Sequence, residues 1–163
     1  MLTVALIAGD EAAPLVATFR ALMPAVLEGI VAGSFVVSRA SQLAPVCEGV
    51  GAALVAPEAA REAVERSDAP WLLVLRAGSL PRDDWVGAVM AHVAGGGGSA
   101  RLEPYDPDRS LWRRLTGWGG DPLAGGLLIE RGAALASLRN GTLEGLAAGR
   151  AVRTLPARLA TMS

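Results

Sequence analysis

The chain has 163 residues, 52% apolar, 4% aromatic and 19% charged, with a formal net charge of -1. That length suits one domain with a full core, and the charge balance leaves no basic excess to neutralise nucleic-acid phosphates. All fifteen basic residues are arginine, which excludes Walker A, Schiff-base and pyridoxal-phosphate lysines, while a single Cys47 and a single His92 exclude an internal disulfide and a cysteine-rich or multi-histidine metal site.

In chain order, LTVALIA (2–8) is a continuous β-prone run that stops at Gly9-Asp10-Glu11, the pattern of a parallel strand covered on both faces. Leu15, Phe19, Leu22, Val26 and Ile30 then recur at helical spacing. Pro14 suits the first turn of that helix, and Pro24 is expected to kink or split it. SFVVS (34–38) predicts a second strand, 41–48 a short helix carrying Cys47 into the core, and GAALVA (51–56) a third strand. EAAREAVER (58–66) predicts a helix with Glu62 and Arg66 at i,i+4. WLLVL (71–75) is the clearest strand, entered from Pro70 and stopped by Arg76-Ala77-Gly78. Asp83 or Asp84 caps a helix through Val89 to His92 that ends at the glycines of 95–98, with His92 read as a surface or cap residue.

Later elements are less regular. RLEPY (101–105) predicts a strand before an Asp-Pro-Asp turn, and 110–118 a short helix placing Arg113 and Arg114 beside Trp112 and Trp118. GGLLIE (125–130) predicts a strand, followed by a helix through Leu138, and 151–163 holds one edge strand. Repeated βα units predict a single three-layer α/β/α domain over 1–163 with a mostly parallel sheet. No apolar stretch reaches the roughly 20 residues of a membrane span, and the first apolar run lacks a positive leader; a cytoplasmic protein without a transmembrane segment is expected.

In open parallel sheets, ligands bind beyond the carboxyl ends of the strands. That rule nominates Gly9, Asp10 and Glu11 after the first strand, Ser38 and Arg39 after the second, and Arg76, Ala77 and Gly78 after the fourth. For each, plain loop chemistry is the alternative: glycine turning the chain, acids favouring a helix start, arginine forming a salt bridge. Gly9 opens no GxGxxG fingerprint, and no GxSxG elbow accompanies His92.

Three segments in order, LTVALIAGDEA, SFVVSRAS and APWLLVLRAGSLPRDDWVGAV, resemble the family-2 glycosyltransferases of GT-A type, most of all small bacterial members; AGGLLIERGAAL resembles their later strand and helix. The likeness runs from residue 2 to about residue 139, and Pro70 to Trp85 is its most specific part. The resemblance implies a nucleotide-diphospho-sugar fold and a nucleotide sugar as ligand. It further implies an acid after the second strand for the nucleotide, a DxD-type motif after the fourth for a divalent cation, and another acid as general base. Here the second-strand position is Ser38 and the DxD position is Arg76-Ala77-Gly78. A loop led by arginine repels a cation that needs hard oxygen ligands, so no metal and no cofactor is expected.

Two residues are candidates for the base. Asp121 follows Trp118-Gly119-Gly120 in a turn similar to the family's GDQG, and Glu130 ends the 125–130 strand. Arg76 either grips a diphosphate directly or pairs with Asp10 or Glu11 across the strand ends. The chain is short for a full transferase, with the deficit falling after the fourth strand. Two functions therefore stand: a binding or assembly module lacking metal-dependent sugar transfer, and an active metal-independent glycosyltransferase. The apolar richness points to a homodimer.

Overall fold

Large apolar residues on both faces of Leu2–Ile7 (β1) and Trp71–Arg76 (β4) place these strands side by side at the centre of a sheet. The computed structural model describes residues 1–105, 121–138 and 141–162. The predicted 106–108 turn and the 110–118 helix, with Trp112, Arg113, Arg114 and Trp118, lie outside these residues.

The other strands are Val31–Val37 (β2), Ala53–Val55 (β3), Ser79–Pro81 (β5), Ala100–Tyr105 (β6), Leu127–Glu130 (β7) and Arg153–Thr161 (β8). They form one sheet in the order β3-β2-β1-β4-β7-β6-β8-β5. The run β3-β2-β1-β4 is parallel throughout, as βα repeats require, and β6 also pairs parallel with β8. β7 joins β4 and β6 antiparallel, and β5 joins β8 antiparallel.

Strand alternation sorts the core into two layers. Leu2, Val4 and Leu6 of β1 and Trp71, Leu73 and Leu75 of β4 meet helices Ala12–Leu27 (α1), Ala44–Gly49 (α2) and Trp85–Ala94 (α4). Ala5, Leu72 and Val74 point the other way, against Ala60–Arg66 (α3) and Arg131–Ser137 (α5). Helices on both faces of one sheet give the expected three-layer α/β/α fold. Among the described residues the largest fully buried side chains are all leucine apart from Ile129. With so few aromatics in the chain, many aliphatic side chains, each stabilising by about 1.5–3 kcal/mol, carry the core.

Several expectations change. α1 is one continuous helix that Pro24 does not split. Proline removes one i→i−4 bond, to Arg20, which is exposed, and the ladder resumes with Glu28 N–H donating to the Pro24 carbonyl at 3.0 Å. Gly29, at φ 70°, then stops the helix; its N–H reaches the Val26 carbonyl and that of Ile30 the Ala25 carbonyl, a Schellman ending. The C-terminal strand is not an edge: β8 lies between β6 and the short β5. The third strand shortens to 53–55, and the predicted 41–48 and 58–66 helices each begin with a 3₁₀ turn, at Ser41–Leu43 and Pro57–Ala59.

His92 is buried rather than on the surface. Its ring meets Trp71 edge to face at 6.2 Å, and Nε2 lies 2.7 Å from the Gly98 carbonyl. It closes the glycine loop from beneath; a Cβ at Gly97 would sit 2.2 Å from the imidazole. Cys47 is a core residue as expected, and burial pushes its thiol up from the ordinary value.

Candidate functional site

The carboxyl ends of β1 and β4 stand level, with Ile7 beside Arg76 in register. Above them opens a cleft of about 410 Å³ lined by Gly9, Asp10, Glu11, Pro14, Arg76 and Ala77 among others. Its walls are fixed by backbone bonds. Ala77 N–H donates to the Ile7 carbonyl at 2.8 Å, and Ala8 N–H to the Val37 carbonyl at 3.1 Å.

Ser38 and Arg39 do not line this cleft. Ser38 is buried, and its hydroxyl donates to the Gly9 carbonyl at 2.9 Å while accepting from Ala40 N–H at 3.1 Å. Its one proton and one of its lone pairs tie the loop after β1 to the end of β2. Arg39 turns to solvent and pairs with Glu58 at 3.0 Å, both largely exposed. Gly78 is likewise structural. At φ 91° it takes a conformation that only glycine adopts readily. Its N–H is held by the Thr18 hydroxyl at 2.8 Å and the Pro14 carbonyl at 3.0 Å, and its carbonyl accepts from Met162 N–H at 2.8 Å. This binds the turn after β4 to α1 and to the end of β8.

Arg76 does not pair with Asp10 or Glu11. It makes a two-pronged ion pair with Asp121, Nε to Oδ2 and Nη2 to Oδ1, the second at 3.1 Å. A tight turn delivers Asp121 to that point. Asp121 Oδ1 also accepts from Leu123 N–H at 3.0 Å, and Gly126 N–H donates to the Leu123 carbonyl at 2.8 Å. Gly125 and Gly126 allow the turn to press on the sheet: a Cβ at 125 would lie 2.3 Å from the Leu102 carbonyl oxygen, and one at 126 would lie 2.6 Å from the Leu75 side chain. The Arg76 hydrogen bond holds the Asp121 carboxyl below its ordinary value, against an opposing push from burial, and the Arg76 guanidinium is raised in turn. A carboxylate so stabilised is a poor proton acceptor near neutral pH.

Glu130 belongs to the other end of the sheet. It pairs in register with Trp71, the first residue of β4, five residues and roughly 16 Å from Arg76. The Asp83-Asp84 pair also lies away from the cleft. Asp84 caps α4 through Gly87 N–H at 2.9 Å, as expected for one of the two acids, and Asp83 pairs with Arg158 at 3.0 Å. Trp85 packs in the core under the sheet and does not fill the cleft.

The residues present do not suit a divalent cation. At the end of β4 stands a guanidinium, and the nearest carboxylate turned toward it, Asp121, is engaged by that guanidinium. Among the described residues, no three His, Cys, Asp or Glu side chains gather as a metal set. Two carboxylates, Asp10 and Glu11, line the cleft against one guanidinium that is itself paired with Asp121, a balance that disfavours a bare diphosphate.

No protein-family model matches this chain, and no curated protein matches it. Solved structures do match. One is glucosyl-3-phosphoglycerate synthase from Mycobacterium tuberculosis in complex with Mn2+, UDP and phosphoglyceric acid, at TM-score 0.57 and 16% identity over 82% of this chain and 56% of that one. The same enzyme with Mg2+ and UDP matches at TM-score 0.66 and 17% identity, over 99% and 70%. S. aureus TarS matches at TM-score 0.68 and 7% identity, over 99% and 60%. The chain thus spans little more than half of the first of these. The fold is that of the GT-A-type glycosyltransferases. Among the described residues no helix is long and apolar enough to cross a membrane.

Proposed function

We propose that this chain is a glycosyltransferase-like module, one domain over 1–163, that lacks metal-dependent sugar transfer and works as a binding or assembly unit. The observation that carries this reading is the fork between Arg76 and Asp121 at the end of β4. Where the resemblance implies carboxylates gripping a metal-bound diphosphate, this chain has a cation already neutralised by an acid of its own. The same bond occupies Asp121, the base candidate nearest the cleft, and Glu130 is too far away to serve.

The test is product formation. The protein is incubated with UDP-, GDP-, ADP- and dTDP-linked sugars and Mn2+ or Mg2+, and release of the nucleotide diphosphate is followed. No release above the protein-free blank is expected; metal-stimulated release overturns the reading.

A second reading has one observation in its favour. Arg76 lines the cleft, with 42% of its side chain exposed. If Asp121 swings away, the guanidinium could hold a diphosphate without metal, making the chain a metal-independent transferase for a nucleotide-sugar donor. Turnover in excess chelator, abolished by Arg76→Ala with the fold intact, would select this alternative.

A further inference from the structure

α1 has one charged residue, Arg20, among its 16. A helix with one face on a core normally presents a polar face to water, and one that is apolar all round is normally covered. The inner face of α1 buries Leu15, Phe19, Leu22 and Ala25. On the outer side Arg20, Met23, Pro24 and Leu27 recur at helical spacing and are all exposed, Leu27 by 81%. Met23, Val26 and Leu27, all on α1, are three of the seven exposed large apolar side chains among the described residues. A gathering of this kind marks an interaction surface.

We propose that this face is a homodimer interface, in which a second copy lays its own α1 antiparallel across the first about a two-fold axis at Pro24. The charges on the helix select this occupant. Arg20 and Glu28 stand four residues either side of Pro24, about 6 Å along the axis in each direction. Antiparallel pairing about that point sets Arg20 against Glu28 of the partner subunit, and symmetry repeats the pair. Parallel pairing would set arginine on arginine. Neither Arg20 nor Glu28 forms an ion pair with another described residue. Beside the face, between α1 and the start of α4, a groove of about 600 Å³ lined by Ala21, Pro24, Glu28, Val86 and Met90 among others offers a seat for the arriving side chains. A lipid surface is the poorer occupant, because a membrane-lying helix is rich in basic residues and this one has Arg20 alone. The inference goes beyond the cleft and does not depend on what binds there.

Size-exclusion chromatography with light scattering at micromolar concentration tests it, with circular dichroism as the check on folding. The expected mass is twice 16.7 kDa. Leu27→Glu, at a position already in water, should give one chain mass. Arg20→Glu should weaken the dimer by about tenfold, and Arg20→Glu with Glu28→Arg should restore it, since the exchange preserves both cross-pairs. A wild-type mass of one chain overturns the proposal. So does a dimer unmoved by Leu27→Glu, or a charge exchange that fails to rescue. Monomer that floats with phosphatidylcholine vesicles would assign the face to lipid and also overturns it.

Discussion

Arg76 and Asp121 neutralise each other, and on the reading proposed above this removes the phosphate-binding cation and the base candidate together. The guanidinium meets its anion within the chain, and the carboxylate loses basicity to its cation. Because both side chains are partly exposed, 42% and 35%, solvent screens the pair and limits its contribution to stability to about 1 kcal/mol or less. Asp121→Asn should therefore lower the urea-unfolding free energy at pH 7 by no more than about 1 kcal/mol. The folded carboxyl lies below its unfolded value of about 3.9, so the pair's stabilisation is present above that value and lost as pH falls through the lowered one. The gap between wild type and variant should accordingly close in acid; a gap that stays constant down to the lowest pH would rule out the ion pair as its source. The same substitution uncovers Arg76, and inorganic pyrophosphate should then bind more tightly, by roughly fivefold if about 1 kcal/mol of competition is removed. Unchanged binding by calorimetry would show that Arg76 does not face the ligand space. Both residues stand out in the sequence, one at a strand end and one beside a glycine pair. Their bond does not, because 45 residues separate them and local pattern carries no information on which loop crosses which strand end.

The cleft depends on short connections that hold the strand ends in place. Ser38 staples the loop after β1 to β2, and the turn 121–126 sets an acid over β4. Ser38→Ala leaves the Gly9 carbonyl and Ala40 N–H without their partner and should cost about 1–2 kcal/mol in thermal or urea unfolding. A neutral substitution would mean that water replaces the hydroxyl at no cost. Gly125→Ala drives a methyl group against the Leu102 carbonyl and should cost about 1–3 kcal/mol, since backbone must move to admit it. Full stability in that variant would contradict the close approach of turn and sheet. Element by element, the sequence was readable where apolar runs were long. β1, β4 and β7 fall where their runs predict and α1 where its spacing does, while β2 starts three residues ahead of its predicted run, at Val31. β5 is three residues long and carries a proline, too little for periodicity to register. β8 alternates buried and exposed residues like an edge strand, yet pairs on both sides, because pairing partners come from topology rather than from the strand's own pattern.

At the scale of the molecule, helices sheathe both faces of one mixed sheet, and among the described residues a cleft opens at the strand ends that carry ligands in such folds. The layered fold was legible because each βα unit repeats the same signal. The state of the site was legible in part: the missing carboxylates are plain in Arg76-Ala77-Gly78, but the removal of Arg39 to solvent, of Ser38 to a staple and of Glu130 to the far end of the sheet all depend on three-dimensional placement. The central claim is that this strand-end cleft is not a metal–diphosphate site. Calorimetric titration of the protein with UDP-glucose, once with Mn2+ and once with excess chelator, tests it most directly. The account predicts that Mn2+ brings no gain in binding over chelator. Saturable UDP-glucose binding that appears with Mn2+ and vanishes with chelator would contradict it.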